Sequence, residues 1–412
     1  MITYAAFLGN HPDLSLAELR CAIPDMRMKR MMTSTVALFE TSHDLTYKDL
    51  SRWGGIFLLA RSIEGKHRLE DVPEILHAQA KDVRGKMTFS LRAFGVPRPL
   101  LHKMYRDVKH HLKEKGVPAR YIGNERKAPV SGQLHDEGLI SGKGGCELVL
   151  LSNAEGSFVW IGKTVAVQDP NSYTKRDMEK PVRDTRAGML PPKLAQMMLN
   201  LGLWAVREMD PKRREPITVL DPFCGTGVIP MEAVLRHWPV YASDISLKAV
   251  HGCEKNLEWL RKEWSILKRD IPSTVWKQDA TKPFPATCHP THDKGADVII
   301  TETMLGPPLT NRPTAKDVAK YRSECDALEI AFLKNVAASL PGIPVVAIFP
   351  AWYIKTGPVR LEQVWKKLKD IGYQAVLPAG SPLPDKARPS LVYRRPDQFV
   401  GREIVILKPL KK

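Results

Sequence analysis

The chain of 412 residues has no run of about 18 apolar residues, so no transmembrane helix is expected. Its start, MITYAAFLGNHPDLSLAEL, lacks a basic stretch ahead of an apolar core, so no secretory signal is expected. Cysteine is scarce, at six residues, and no pair has Cys-x-x-Cys spacing. This argues against a disulfide scaffold and fits a reducing, cytoplasmic setting. No internal repeat is visible, which argues against a solenoid. Acidic residues are in deficit, with 45 Asp+Glu against 62 Lys+Arg and a formal net charge of +17. That balance modestly favours a protein lying along a polyanion over the plain alternative of simple solubility. Hydrophobic content of 43% and charged content of 26% are ordinary for a globular protein. The length suffices for two or three domains.

Two further absences sharpen the most informative stretch. Ile217 to Leu220 is a short β-branched run that ends at Asp221, as a buried strand would. Cys224-Gly-Thr-Gly227 is a turn where a large side chain would block close backbone approach. Val228 to Leu235 reads as a helix with Pro230 in its first turn. Strand, glycine turn and helix together open a nucleotide-type α/β fold. Yet Gly-x-Gly-x-x-Gly is missing, and no Lys-Ser/Thr follows the glycines, so dinucleotide and P-loop readings are poor. An acidic residue just ahead of the glycines argues for a cationic or amine-bearing ligand.

Strands and carboxylates then recur. Pro239 to Asp244 reads as the next strand, and Asp244 lies about 20 residues past the glycine turn, where a ribose-binding carboxylate is expected. The segment after Ser246 reads as a helix, with Ser246 as N-cap and Ala249, Val250, Cys253, Leu257, Leu260 and Trp264 on one face. STVWKQDAT gives a third strand ending at Asp279 and Ala280, GADVIITET a fourth ending at Glu302, and IPVVAIFP a fifth. Such alternation predicts an open parallel sheet with its site at the carboxyl edge. Asp244 or Asp279 alone reads equally well as a helix cap; their recurrence at strand ends favours binding.

The first half shows its own α/β alternation, from a strand at ITYAAFLG and a helix at LSLAELRCAI to a hairpin at CELVLLSNAEGSFVWIG, turning at Asn153 to Gly156. Lys103 to Lys115 lies in a basic amphipathic helix with Leu101, Met104, Val108 and Leu112 on one side. Lys109, Lys113 and Lys115, with Arg126 and Lys127 beyond, are candidate phosphate contacts, against the plain alternative of a solvated face. His110 and His111 are adjacent and cannot both face one metal from a helix. Cys288, His289 and His292 share a proline-rich loop without further paired ligands, so no metal site is expected. QDPNSYTKRDMEKPVRDTRAG reads as a linker.

Along its whole length the chain resembles the THUMP-containing RNA methyltransferases, closest to those acting on the exocyclic amine of guanine near position ten of tRNA. YAAFLGNHPDLSLAELR is similar to the family's ferredoxin-like opening, and Met87 to Val167 to its THUMP RNA-binding module. KRDMEKPVRDTRAGMLPPKLAQMMLNL resembles its entry into the catalytic domain, and DPFCGTGVIPMEA with SDIS its methyl-donor motif, the most specific of the four. The resemblance implies an α/β chain in which a C-terminal Rossmann-like methyltransferase sheet follows an N-terminal α+β region. The expected bounds are a ferredoxin-like domain at 1–80, a THUMP-like domain at 81–168, a linker at 169–192 and a methyltransferase domain at 193–412. It implies an S-adenosylmethionine pocket lined by Asp221, Cys224, Gly225, Thr226, Gly227, Asp244, Ile245, Asp279 and Ala280. It adds Lys175 and Arg176 to the RNA contacts, with tRNA or another structured RNA as partner and no membrane.

One departure stands out. The family's amino-group enzymes usually carry Asp-Pro-Pro followed by Tyr or Phe after the fourth strand, whereas this chain has Thr301-Glu-Thr-Met-Leu-Gly-Pro-Pro-Leu309. Glu302 can supply the carboxylate, Pro307 and Pro308 a rigid loop, and Met304 or Leu305 an apolar surface for the base. These make Glu302, Pro307 and Pro308 the expected catalytic residues. The leading expectation is an S-adenosylmethionine-dependent tRNA (guanine-N2) methyltransferase. A DNA amino-methyltransferase and a catalytically inactive RNA-binding protein of the same fold are the alternatives.

Overall fold

The computed structural model describes residues 1–83, 85–140, 144–153, 158–183, 189–291, 293–382 and 388–410. It divides into two units, one of residues 1–12 and 23–172, the other of residues 13–22 and 173–412.

The first unit is one sheet of eight strands in the order β2-β3-β1-β4-β8-β7-β5-β6. The strands are β1 (Ile2–Leu8), β2 (Arg27–Thr33), β3 (Val36–Thr41), β4 (Ile56–Ser62), β5 (Met87–Phe94), β6 (Ala119–Tyr121), β7 (Gly145–Ser152) and β8 (Val159–Val167). β4 pairs antiparallel with β8, Leu58 opposite Val167, so residues 1–80 and 81–168 share a sheet rather than forming two separate ones. Partners this distant in sequence leave no local pattern. β2 lacks apolar alternation and carries exposed Arg27, Lys29 and Arg30, as suits an edge strand that must not pair further. The turn expected at Asn153 to Gly156 falls at 154–156 outside the described residues.

The helices among the described residues up to this boundary are α1 (Pro12–Ala22), α2 (Tyr47–Leu50), α3 (Val72–Gln79), α4 (Arg98–Glu114) and α5 (Ser131–Asp136), with α6 (Pro170–Thr174) crossing it. α4 is the basic helix of the sequence pattern. Its stripe of Leu101, Met104, Val108 and Leu112 is buried against Phe89, Leu91 and Leu148 of the sheet, together with Leu76 of α3. From Asp13 onward α1 belongs to the second unit, where Leu14, Ala17 and Cys21 join its core.

The second unit has a sheet in the order β11-β10-β9-β12-β13-β17-β15, with β14 added on β13 and β16 on β17. β9 (Val219–Asp221), β10 (Val240–Asp244), β11 (Ser273–Lys277), β12 (Val298–Glu302) and β13 (Val345–Ile354) are mutually parallel. β14 (Gly357–Arg360), β15 (Tyr373–Val376), β16 (Ser390–Tyr393) and β17 (Val400–Pro409) are antiparallel to their partners. The expected parallel sheet is therefore mixed. Strands of four residues are too short to show a period, and β17 interrupts its apolar run with Arg402 and Glu403. α7 (Pro192–Met209), α8 (Val228–Leu235), α9 (Leu247–Glu263), α10 (Ala315–Ser339) and α11 (Gln363–Ile371) cover this sheet. Buried residues of α7, α8 and α9 form one core with the sheet, and those of α10 and α11 another. No helix among the described residues is long and apolar enough to cross a membrane.

The segment expected as a linker is packed. α6 runs into a π-helical turn at Lys175–Glu179. Arg176, its side chain 5% exposed, donates from Nε to Oε1 of buried Glu232 on α8 at 2.6 Å. Farther along, the Val182 N–H donates to Asn256 Oδ1 on α9 at 2.9 Å, and Asn256 Nδ2 returns bonds to the carbonyls of Val182 and Thr226. Polar side chains that read as solvent-facing in sequence here satisfy one another inside the unit.

Candidate active site

The carboxyl ends of β9, β10 and β12 enclose a cavity of about 750 Å³. This size is within the usual range for small-molecule sites. Each strand end contributes one acidic residue, namely Asp221, Asp244 and Glu302. The glycine turn forms its floor. Gly227 begins α8 at φ 86°, and a Cβ there would lie 2.6 Å from Cys253 Sγ, so only glycine lets the turn sit on α9. Ser246 caps α9, its hydroxyl accepting from the Ala249 N–H, as the sequence predicts.

Asp221 is the least compensated of the three. It is 1% exposed, accepts 2.6 Å from the Thr301 hydroxyl and 3.3 Å from the Phe223 N–H. Burial, reinforced by the charges of Asp244 and Glu302, pushes its carboxyl up to about 7. Asp244 takes the Gly225 N–H at 3.0 Å on one oxygen and the Ser246 N–H at 2.8 Å on the other. A carboxylate has about four acceptor positions, so it can still take hydroxyl donors. Glu302 is held by Arg402 of β17, Nε to Oε1 at 2.5 Å. Burial pushes the Glu302 carboxyl above its ordinary range, and the Arg402 charge opposes that. Arg402 is itself buried and also donates to the Met189 carbonyl at 3.5 Å, joining two cavity walls.

Of the expected cofactor residues, Asp221, Cys224, Gly225, Thr226 and Asp244 line this cavity. Gly227, Ile245, Asp279 and Ala280 do not. Ile245 is 66% exposed, and Gly227 is turned onto Cys253. Asp279 uses Oδ1 to close a turn on the N–H and hydroxyl of Thr281, and those bonds hold its carboxyl below the usual range. Ala280 is buried, its carbonyl taken by Asn335 Nδ2. Of the expected catalytic residues, Glu302 and Pro308 line the cavity and Pro307 does not.

Gly306 sets the loop between them at φ 89°, where a Cβ would lie 3.4 Å from Trp352 Nε1. Leu305 packs on the core, Met304 is 39% exposed, and the Met304 carbonyl accepts from the Cys325 thiol. Beside Cys325 on α10, Glu329 is fully buried, and burial pushes its carboxyl up to about 8, so it is mostly neutral at pH 7.

The sequence pattern did not single out Val182, Arg183, Met189, Leu190, Phe223, Lys248 or Ala249 as site residues, yet all line the cavity. Phe223 sits inside the quoted motif, packed edge-on to Phe332 at 5.2 Å, and supplies an aromatic ring that the loop at 301–309 lacks. Arg402 had no local signal, lying one hundred positions from Glu302.

The expected RNA contacts separate into two groups. Lys109, Lys113, Lys115, Arg126 and Lys127 are all exposed on the first unit. Lys175 is ion-paired with Glu263 and lies over the Trp264 ring at 5.6 Å. Arg176 is corrected from RNA contact to internal cation, because its charge is buried against Glu232. Cys288 is buried, which pushes its thiol up to about 11, and His289 Nδ1 meets the Thr291 hydroxyl at 2.8 Å; His292 lies outside the described residues.

No family model matches the chain. The structure of TrmN from Thermus thermophilus is 17% identical and covers 99% of this chain and 100% of that one, with a TM-score of 0.48 that carries no functional weight. A tRNA (guanine(10)-N2)-dimethyltransferase of Pyrococcus abyssi is 28% identical over 162 residues, 37% of this chain and 45% of that protein. Another, of Methanothermobacter thermautotrophicus, is 41% identical over 71 residues, 17% of this chain and 18% of that protein. The chain is thus similar to two tRNA guanine-N2 dimethyltransferases, and spans less than half the length of either curated relative it matches.

Proposed function

We propose that the chain is an S-adenosylmethionine-dependent methyltransferase acting on the exocyclic N2 amine of a guanosine in tRNA, in the cytoplasm. The observation that carries this reading is the convergence of Asp221, Asp244 and Glu302 on one cavity above the glycine turn. The cavity fits the donor. Asp221 is a buried carboxyl short of donors, which an ammonium group would hold ionised. Asp244 has acceptor capacity left for ribose hydroxyls, and Val182, Leu190, Val228 and Ile229 offer apolar wall. The names of the two curated relatives support tRNA and the N2 amine.

Bound S-adenosylmethionine supplies an electrophilic methyl group. The chain's own residues do the rest. The base, drawn from its stack, enters beside Glu302 and Pro308. The Glu302 carboxylate accepts a hydrogen bond from the N2 amine and turns its lone pair toward the donor. Glu302 would take the proton that the nitrogen sheds as the methyl group is transferred to it. Arg402 opposes the burial that pushes the Glu302 carboxyl up, and so favours the ionised form that a base requires. Exposed Lys109 and Lys113 hold phosphates.

The test is tritiated methyl transfer to unmodified tRNA and to duplex DNA, with digestion to name the modified nucleoside. N2-methylated guanosine from tRNA is expected. Transfer to DNA alone, or donor binding without transfer to any nucleic acid, rejects the proposal.

A further inference from the structure

The first unit holds a cluster that the reading above leaves unused. Glu74 and His77 stand one turn apart on α3, and His111 faces them from α4. One ligand atom from each lies within 4.8 Å of the other two. His111 Nε2 is 3.3 Å from Glu74 Oε1, and His77 Nδ1 is 3.9 Å from Glu74 Oε2. The two imidazole rings lie 5.9 Å apart at 78°.

Hydrogen bonding does not account for this convergence. The His77 contact is too long for a hydrogen bond. His111 Nε2 is shut off from solvent and has no hydrogen-bond partner, although Glu74 is near. A solvent-shielded ring nitrogen without a partner is costly unless something else takes its lone pair. A tetrahedral ion with bonds of about 2.1 Å sets its ligand atoms about 3.4 Å apart. The His111–Glu74 separation of 3.3 Å is already close to that value. Glu74, its side chain 64% exposed, is free to turn toward His77.

We infer that Glu74, His77 and His111 bind one divalent transition-metal ion of the zinc class. Two imidazoles and one carboxylate suit zinc, cobalt or nickel, whereas magnesium and calcium prefer oxygen throughout. Solvent completes the fourth position. The sequence hid the site, because the adjacent pair His110 and His111 cannot share an ion and the other two ligands lie some 35 residues earlier on another helix. The ion would staple α3 to α4, the helix that presents Lys109 and Lys113, by a bond that does not depend on the apolar stripe between helix and sheet.

The full chain is stripped of metal with chelator and titrated with zinc alone by calorimetry, with thermal unfolding followed in parallel. One ion per chain and a raised melting temperature are expected. Loss of a metal's second-sphere partner alone typically weakens binding 10- to 100-fold, so Glu74→Gln and His111→Ala should each weaken it at least about tenfold. His110→Ala, one position along, should bind as the parent does. Glu74→Gln changes an exposed side chain and keeps the test valid should His111→Ala fail to fold. Cobalt should give visible absorption without the sulfur-to-metal bands that a cysteine site shows. The inference is overturned by an absence of saturable zinc binding, by unchanged affinity in Glu74→Gln, or by sulfur-to-metal bands with cobalt.

Discussion

At the two edges of the parallel strands in the second unit, Asp297 on one side and Asp221 and Glu302 on the other are treated in opposite ways. At the amino edge Asp297, just ahead of β12, takes both Nε and Nη2 of Arg213 at 3.0 and 2.8 Å and the Thr218 N–H at 2.7 Å. Its charge is matched by a fork of donors and a backbone amide. At the carboxyl edge Asp221 has one hydroxyl and one long amide bond, and Glu302 has one guanidinium for a nearly buried carboxylate. The sheet can satisfy a carboxylate at either edge, as Asp297 and, with two backbone amides, Asp244 demonstrate. The shortfall at Asp221 and Glu302 is what the proposed donor and substrate amine would fill.

The contrast can be broken most sharply at Glu302. Glu302→Gln keeps the shape but removes the base and the charge-assisted acceptor, so methyl transfer to tRNA should fall on the order of 10²- to 10⁴-fold. Donor affinity measured by calorimetry should barely move. A fully active Glu302→Gln protein would mean that the carboxylate serves only to neutralise Arg402.

Asp244→Ala comes next. It leaves ribose hydroxyls and the N–H groups of Gly225 and Ser246 without an acceptor, and should weaken donor binding by about 1–3 kcal/mol. Unchanged affinity in a folded variant would remove Asp244 from the site.

Asp221 gives a pH signature. Its carboxyl is near 7 in the folded chain against 3.8 in an ordinary setting, so the folded state keeps a proton that the unfolded chain has released. Stability should fall as pH rises from about 4 to 7, and Asp221→Asn should flatten that slope. Donor affinity should move the other way, rising by up to about tenfold per pH unit below 7 and levelling above it, because only the ionised carboxylate pairs with an ammonium. A flat affinity profile in the parent protein would place the donor's amine elsewhere.

Arg213→Ala should have the smallest effect, because Arg213 and Asp297 are partly exposed and the Thr218 amide remains. A stability loss of about 1 kcal/mol in denaturant melts is expected, with donor affinity and transfer rate unchanged. An effect on transfer would show that the two edges are not independent.

What could be read in the sequence follows from where the determinants lie along the chain. The strand at Val219, the glycine turn, the cap at Ser246 and the stripe of α4 each depend on residues within a turn or two, and each is where the pattern puts it. Glu302 reached the cavity because a strand end announces its edge. Arg402 could not be read, since it meets Glu302 only through β17 lying against β13, which lies against β12. Arg176 escapes the sequence for a related reason: a polar stretch gives no hint that one of its cations is matched by Glu232 inside a helix otherwise rich in apolar residues. Asp279 shows the limit of a strand-end rule, for it spends its oxygen on the next turn.

The position of β17 has a consequence for synthesis of the chain. It lies between β13 and β15, with β16 also resting on it, although it follows all three in the sequence. A polypeptide leaving the ribosome has β9 to β13, the glycine turn and Glu302 long before residue 400 emerges. Until then β15 has no partner, β13 has a bare edge, and Glu302 has no cation beside it. A product truncated ahead of Arg402 would carry Asp221, Asp244 and Glu302 and still lack the cation that holds Glu302. Pairing of Glu302 thus waits on a cation made one hundred positions later.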